Sequence, residues 1–397
     1  MASRERLVTA PFALVTASAL AYFVAIGTLA PVLPLYVEGP LGGGDVAVGL
    51  SVGAFSLAAA VLRPWIGRIG DRRGRRVLVM GGSLVVGASV AGYGLATSLP
   101  LLVLMRLLTG VGEAALFVGA ATAIQDLAPD SRRGEAASYF SVAIYGGLAL
   151  GPALGELVLG DDRYTSVWAV AALSCLVAAV LAWWTPVGEV GPPVGPRRLL
   201  HPAALVPGSV LGLSLIGFAG FSTFVPLYVG DIGLEGSSQV FALYAGAVLL
   251  VRIFGARIPD VVGSVKTASI ALVCLSSGLA VMAVWQVPIG LYVGTVIFAG
   301  GSSLLFPALS VLVIEAAPAA ERSSAVATFS IFFDLSQAVG ALVLGVVVAV
   351  GGEPSAFAVG GVLCLVALSV LRRKVPGPGA GGRAERSPLE SAPATGA

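Results

Sequence analysis

The stretch GRIGDRRGRR, Gly67 to Arg76, packs five arginines and one aspartate into ten residues. Apolar runs flank it, VGLSVGAFSLAAAVL (48–62) before and VLVMGGSLVVGASVAGYGLA (77–96) after. A dense cationic cluster between two such runs marks a turn at a water boundary, with buried segments on either side. The aspartate is the odd member, because five cations need no carboxylate to hold a turn at a surface.

The whole chain repeats this arrangement. It has 397 residues, 57% hydrophobic and 11% charged, with a mean hydropathy of +0.96. Soluble domains carry about 25% charged residues, so too little polar surface exists here to cover a water-soluble particle. An integral membrane protein is expected, its partner the lipid bilayer. The net charge of +2 says nothing about partners, and the basic pI reflects where the arginines sit, so no nucleic-acid partner is expected. Cys175, Cys274 and Cys364 lie far apart in apolar runs, unlike a disulfide framework or a metal cluster. The single histidine, His201, falls in a Pro-rich linker, so no cofactor or His-based metal site is expected.

A membrane-crossing helix needs about 20 mostly apolar residues. Charged clusters, prolines and glycines cut the chain into twelve such segments: 12–37, 46–69, 77–97, 99–126, 135–159, 165–185, 203–230, 237–258, 266–285, 287–316, 323–350 and 354–372. The runs are continuous rather than alternating, which disfavours a lipid-spanning barrel. The first span follows Arg4 and Arg6 but is too long for a signal segment, so it is read as retained. The loops after spans 1, 3, 7, 9 and 11 hold no lysine or arginine, and the loop after span 5 holds only Arg163. That asymmetry predicts a multi-pass protein of the cell membrane with both termini cytoplasmic.

The halves repeat at a fixed offset. Arg63, Arg68, Asp71 and Gly74 recur 189 residues later as Arg252, Arg257, Asp260 and Gly263. CLVA from Cys175 recurs from Cys364 at the same offset, and PLYV at Pro34 recurs at Pro226 with an offset of 192. Expected, then, is an all-α membrane fold of two pseudo-symmetric six-helix bundles, 1–185 and 203–374. A cytoplasmic linker at 186–202 joins them, and 375–397 is read as a disordered tail. Transporters use such repeats to build a central site between two rocking halves.

Three motifs carry a resemblance to the major facilitator superfamily. The opening stretch resembles its Gly-x-x-x-Asp-Arg-x-Gly-Arg-Arg motif through Gly67, Gly70, Asp71, Arg72, Gly74, Arg75 and Arg76. RLLTGVGEAA in span 4 is similar to its Arg-x-x-x-Gly-x-Gly pattern through Arg106, Gly110 and Gly112. GLALGPALGE in span 5 resembles a motif seen mostly in exporters, through Gly147, Gly151, Pro152 and Gly155. The resemblance spans nearly the whole chain apart from the linker and tail. It implies twelve helices and alternating access. It also implies that Asp71 sits near the N-terminus of span 11, across the interface between halves. There it would latch one of two states by its interaction with the helix dipole.

Arg106 lies inside span 4, and an arginine at such depth needs a partner or water. Glu113 follows two turns later on the same face, roughly 10 Å away, so a third partner or a shared aqueous cavity is expected. In span 11, FFDLSQAVG holds Asp334. A carboxylate in a low-dielectric cavity can bind a proton at physiological pH. Glu113 and Asp334 are therefore the coupling candidates, with Arg106 tuning them.

The repeat also relates Asp126 to Glu315 and Arg63 to Arg252, which suggests ion pairs closing the cytoplasmic side. Gly147, Gly151 and Gly155 form a small-residue packing face. Glu156 departs from the family pattern and is expected to be solvated. Tyr22, Tyr145, Phe218 and Phe221 are candidates to line a cavity.

These features favour a monomeric, proton-coupled exporter of a small organic or amphipathic substrate. The alternative is an importer or facilitator for a nutrient such as a sugar, although spans 1 and 7 are sparse in hydrogen-bonding side chains. A membrane-embedded enzyme finds no support: the chain shows no nucleophile elbow, no paired metal ligands and no phosphate-cradling loop.

Overall fold

A lone glycine makes the reversal at the arginine cluster. In the computed structural model, which describes residues 7–129, 132–185, 200–255, 261–318 and 322–374, helix α2 runs Asp45–Arg73 and α3 runs Arg75–Gly92. Only Gly74 separates them, at φ 88 and ψ 157, a conformation that a residue without Cβ adopts at no steric cost. Gly67 and Gly70, expected in the turn, instead lie inside the last turns of α2. Gly70 leaves room for α3, since a Cβ there would come 2.5 Å from Leu78 Cδ1. The repeat of Gly74, Gly263, opens α9 (Ser264–Val284) at φ 91 and ψ 143. The offset of 189 residues is thus carried in backbone geometry as well as in letters.

Twelve α-helices occur among the described residues. The first bundle adds α1 (Ala10–Glu38), α4 (Leu99–Asp126), α5 (Arg133–Leu159) and α6 (Tyr164–Trp183) to α2 and α3. The second comprises α7 (Pro202–Asp231), α8 (Ser238–Phe254), α9, α10 (Pro288–Ala316), α11 (Arg322–Gly351) and α12 (Glu353–Lys374). Eleven are long and apolar enough to cross a membrane, and α8 is apolar but shorter at 17 residues. Apolar side chains face outward along them, among them Leu157, Val284 and Val350 at 77%, 84% and 90% exposure. An apolar exterior of that extent is stable in lipid and unstable in water.

Local chemistry sets the helix starts. Thr9 caps α1 by accepting from Phe12 N at 3.4 Å, with Pro11 in the first turn. His201 caps α7, its Nδ1 accepting from Ala203 N at 3.2 Å. The His201 backbone N–H donates to Thr328 Oγ1 at 2.9 Å, which ties the start of α7 to α11. The histidine expected in a linker is therefore a buried helix cap.

Within the first bundle α1 packs on α5 and α6, α3 on α4 and α6, and α2 on α4. Within the second α7 packs on α11 and α12, α9 on α10 and α12, and α8 on α10. The largest bridges between the bundles join α2 with α11 and α5 with α8, and α1 also meets α7. The repeat maps α2 onto α8 and α5 onto α11, so the two bridges are equivalent.

We call the face holding Ala10 and Lys374 the terminal face and its opposite the far face. The first bundle's core continues into Phe224, Leu227, Leu344, Val348 and Ala356 of the second. All five lie toward the far face. There Gly49 and Gly53 of α2 meet the backbone of Ala341 and Ala338 on α11, and Gly345 meets Asp45 O. The bundles are sealed against one another on the far side.

Candidate functional site

The site grows from three charged side chains in the interior of the first bundle. Arg63 lies about 15 Å in from the end of α2 at a rise of 1.5 Å per residue. At that depth its Nη2 donates to Glu113 Oε1 at 3.1 Å and Oε2 at 3.4 Å. Its guanidinium also lies 4.6 Å over the Phe117 ring. Glu113 is 8% exposed. A buried carboxylate needs such a partner, because its desolvation otherwise costs several kcal/mol. The expected third partner of Glu113 is therefore Arg63, a residue that the repeat alone places in a charge gate with Asp126.

Arg106 points elsewhere. Its Nε donates to Ser51 O at 2.9 Å, its Nη1 donates to Tyr93 Oη at 3.3 Å, and its guanidinium covers the Phe55 ring at 4.7 Å. Tyr93 in turn bonds Thr109 at 2.7 Å, and Thr109 bonds Ser89 at 2.9 Å. This buried network fastens α4 to α2 and α3. Tyr22 of α1 is fully buried close to Glu113, Arg63 and Arg106, and its hydroxyl has no hydrogen-bond partner.

The four-residue charge gate does not form as ion pairs. Asp126, the last residue of α4, pairs with Arg75 Nε at 3.3 Å, since Arg63 lies too deep to reach it. Glu315 is exposed near the end of α10, and Arg252 turns instead to α5. The motif arginines brace the first bundle, with Arg76 stacked 4.7 Å over the Trp183 ring of α6. A shallow cavity of about 500 Å³ opens there, lined by Pro11, Leu14, Arg76, Trp183, Trp184 and Thr185 among others. The side chains of Asp71 and Asp334, and the whole of Arg257 and Asp260, lie outside the described residues.

Of the cavity candidates, Tyr22 and Phe221 are wholly enclosed in this conformation. Phe221 packs at 5.3 Å against both Tyr244 and Phe298. Tyr145 and Phe218 are half-buried. The span-5 motif lies along α1: a Cβ on Gly151 would come within 2.6 Å of Gly27 Cα, and Gly147 and Gly155 meet Phe23 and Thr28 backbone. Among the described residues no group of His, Cys, Asp and Glu is placed to hold a metal ion.

The chain matches the Major Facilitator Superfamily over residues 15–285 and 211–395. It belongs to that superfamily. The MFS-type transporter STM4428 of Salmonella typhimurium is 31% identical over 337 residues, covering 81% of this chain and 85% of that protein. Solved structures share the superfamily fold. The human organic anion transporter MFSD10 has a TM-score of 0.68 at 18% identity, covering 91% of this chain and 99% of its own. A mutant of the nucleoside transporter NupG has a TM-score of 0.78 at 13% identity, covering 91% and 98%.

One contact in this major facilitator chain was missed from sequence, and Glu156 makes it. Rather than being solvated, its Oε1 accepts from Ser237 N at 2.5 Å, Ser237 Oγ at 2.9 Å and Ser238 N at 2.9 Å. A carboxylate of α5 therefore caps the N-terminus of α8 across the bundle interface, where free N–H groups and the helix dipole favour it. The start of α8 at GSSQ shows that a cap is needed, but nothing local says the acceptor lies 81 residues earlier. Replacing Glu156 by Ala removes about 1 kcal/mol of capping, a factor of about 5 in the ratio of far-closed to far-open states. Spin labels at Asp161 and Glu235, one in each bundle, should show a larger far-open fraction in Glu156→Ala. An unchanged distance distribution would contradict the capping account.

Proposed function

We propose that the chain is a secondary active transporter that works by alternating access and exports a small organic or amphipathic molecule in exchange for protons. The observation that carries this reading is the buried Arg63–Glu113 pair beside the idle Tyr22 hydroxyl, in the interior of a major facilitator fold. Glu113 offsets the Arg63 charge in a buried place, so a change at either residue alters the charge balance of the interior at small geometric cost.

The cation-rich terminal face, with Arg76, Trp183 and exposed Trp184 together, fits a cytoplasmic membrane boundary. On this reading the plasma membrane is crossed twelve times, both termini are cytoplasmic, and the monomer is the working unit. The sealed far face is then the outside, and the conformation is closed to it. Asp71 remains the proposed latch at the terminal face, with Gly67, Gly70 and Gly74 allowing α2 and α3 to stay close.

Purified protein reconstituted in liposomes tests the reading. An imposed pH gradient should drive cargo accumulation, and collapsing the gradient with an ionophore should abolish it. Accumulation that ignores the gradient would refute proton coupling.

A further inference from the structure

The repeat places a cation in each bundle but a carboxylate in only one. Arg63 has Glu113, whereas the position 189 residues after Glu113 is Ser302. Arg252, the repeat of Arg63, meets no acid among the described residues. Its Nη1 donates to Ser141 Oγ at 3.0 Å and its Nη2 donates to Tyr145 Oη at 3.3 Å. The guanidinium lies 4.8 Å over the Tyr145 ring. The Arg252 Nε is buried with no hydrogen-bond partner.

Helices α5 and α10 pack against α8, and their described acids are committed or remote. Glu135 bonds Arg132, Glu156 caps α8 at the far face, and Glu315 is exposed at the end of α10. Among the described residues, this positive charge in the last turn of α8 therefore meets no carboxylate, and its buried Nε–H is left for a ligand to satisfy. A guanidinium with an idle N–H prefers a two-oxygen anion, which its donor fork matches.

Aromatic surface stands beside it. Phe218 of α7 stacks on Phe298 of α10 at 6.4 Å and 9°, and both contact Tyr244 of α8, at 5.6 and 6.0 Å. Tyr244 is close enough to Arg252 and Tyr145 to interact electrostatically with both. Phe218 is half-buried and offers ring surface to a flat apolar body.

We infer that Arg252, with Ser141 and Tyr145, is the anion-binding element of the transport site, and that the cargo is an aromatic monoanion bearing a carboxylate or sulfonate. The inference rests on the transporter reading above and narrows its substrate class. The head group takes the idle Nε–H of Arg252, and the ring lies toward Phe218 and Tyr244.

Equilibrium dialysis of labelled naphthoate against protein in phosphatidylcholine nanodiscs tests it, with neutral naphthamide and cationic naphthylmethylammonium as matched competitors. Naphthoate should bind the wild-type protein and be displaced by neither competitor. Arg252→Gln should weaken it by about tenfold or more. Arg252→Lys should retain part of the affinity, and Tyr145→Phe should lose a smaller part. Ser277→Ala, exposed on α9, should bind as the wild type does.

Failure of naphthoate to bind, equal competition by naphthamide, or full affinity in Arg252→Gln would each overturn the inference. Because binding is read without a gradient, the anion site and proton coupling fail separately. Protein that binds naphthoate through Arg252 yet ignores a pH gradient would refute the exporter reading and keep the site.

Discussion

Glu113→Gln is expected to abolish proton-driven transport, by at least about tenfold in initial rate, which corresponds to ~1.4 kcal/mol or more. Two effects are bundled in that loss. The glutamine cannot exchange a proton, and Arg63 loses the carboxylate that offsets its charge in a buried place. Breaking one partner of a buried pair is costly, up to about 3–5 kcal/mol. The single variant should therefore also be thermally weaker in detergent.

The double variant Arg63→Gln, Glu113→Gln separates the two effects. Two neutral amides can bond one another, so stability should largely return. Coupling should not return, because no titrating group is restored. If Glu113 served only to neutralise Arg63, the double variant would transport like the wild type, and that outcome would remove Glu113 from the mechanism.

The second large effect is expected from a single methyl group. Gly151→Ala would place a Cβ within 2.6 Å of the Gly27 backbone, where neither helix can give way without separating. Overpacking of this kind costs about 1–3 kcal/mol. In lipid, small residues are what allow two helices to approach closely. Gly146, one residue from Gly147 on the same helix, is the internal control. A Cβ there meets only Leu20 Cδ1 at 3.5 Å, an ordinary contact. Thermal unfolding should show Gly151→Ala clearly weakened and Gly146→Ala close to the wild type. Equal midpoints in the two variants would refute the seam between α1 and α5.

Much of the architecture was legible because lipid imposes it. Long uncharged runs, basic loops on one side and charged matches at one offset all follow from constraints that act on local sequence. The repeat even announced Gly263, whose backbone matches Gly74. The charge pairings were less legible, since the repeat shows which residues are equivalent but not which ones touch. Depth along the helix decided that Arg63 meets Glu113 and that Asp126 meets Arg75. The Glu156 cap was hidden for a different reason: its donors belong to the other bundle and become neighbours only once both have folded. His201 misled because a Pro-rich context reads as linker, whereas Pro202 is an ordinary first residue of a helix.

The proposed transport cycle requires the two bundles to rock, opening one face as the other closes. Pulsed distance measurement on two labelled pairs tests it most directly, with Asp161 and Glu235 reporting the far face and Leu127 and Ala316 the terminal face. Addition of cargo or a shift in pH should produce reciprocal changes, the far pair lengthening as the terminal pair shortens. Distances that stay fixed in both pairs, or that lengthen together, would contradict it.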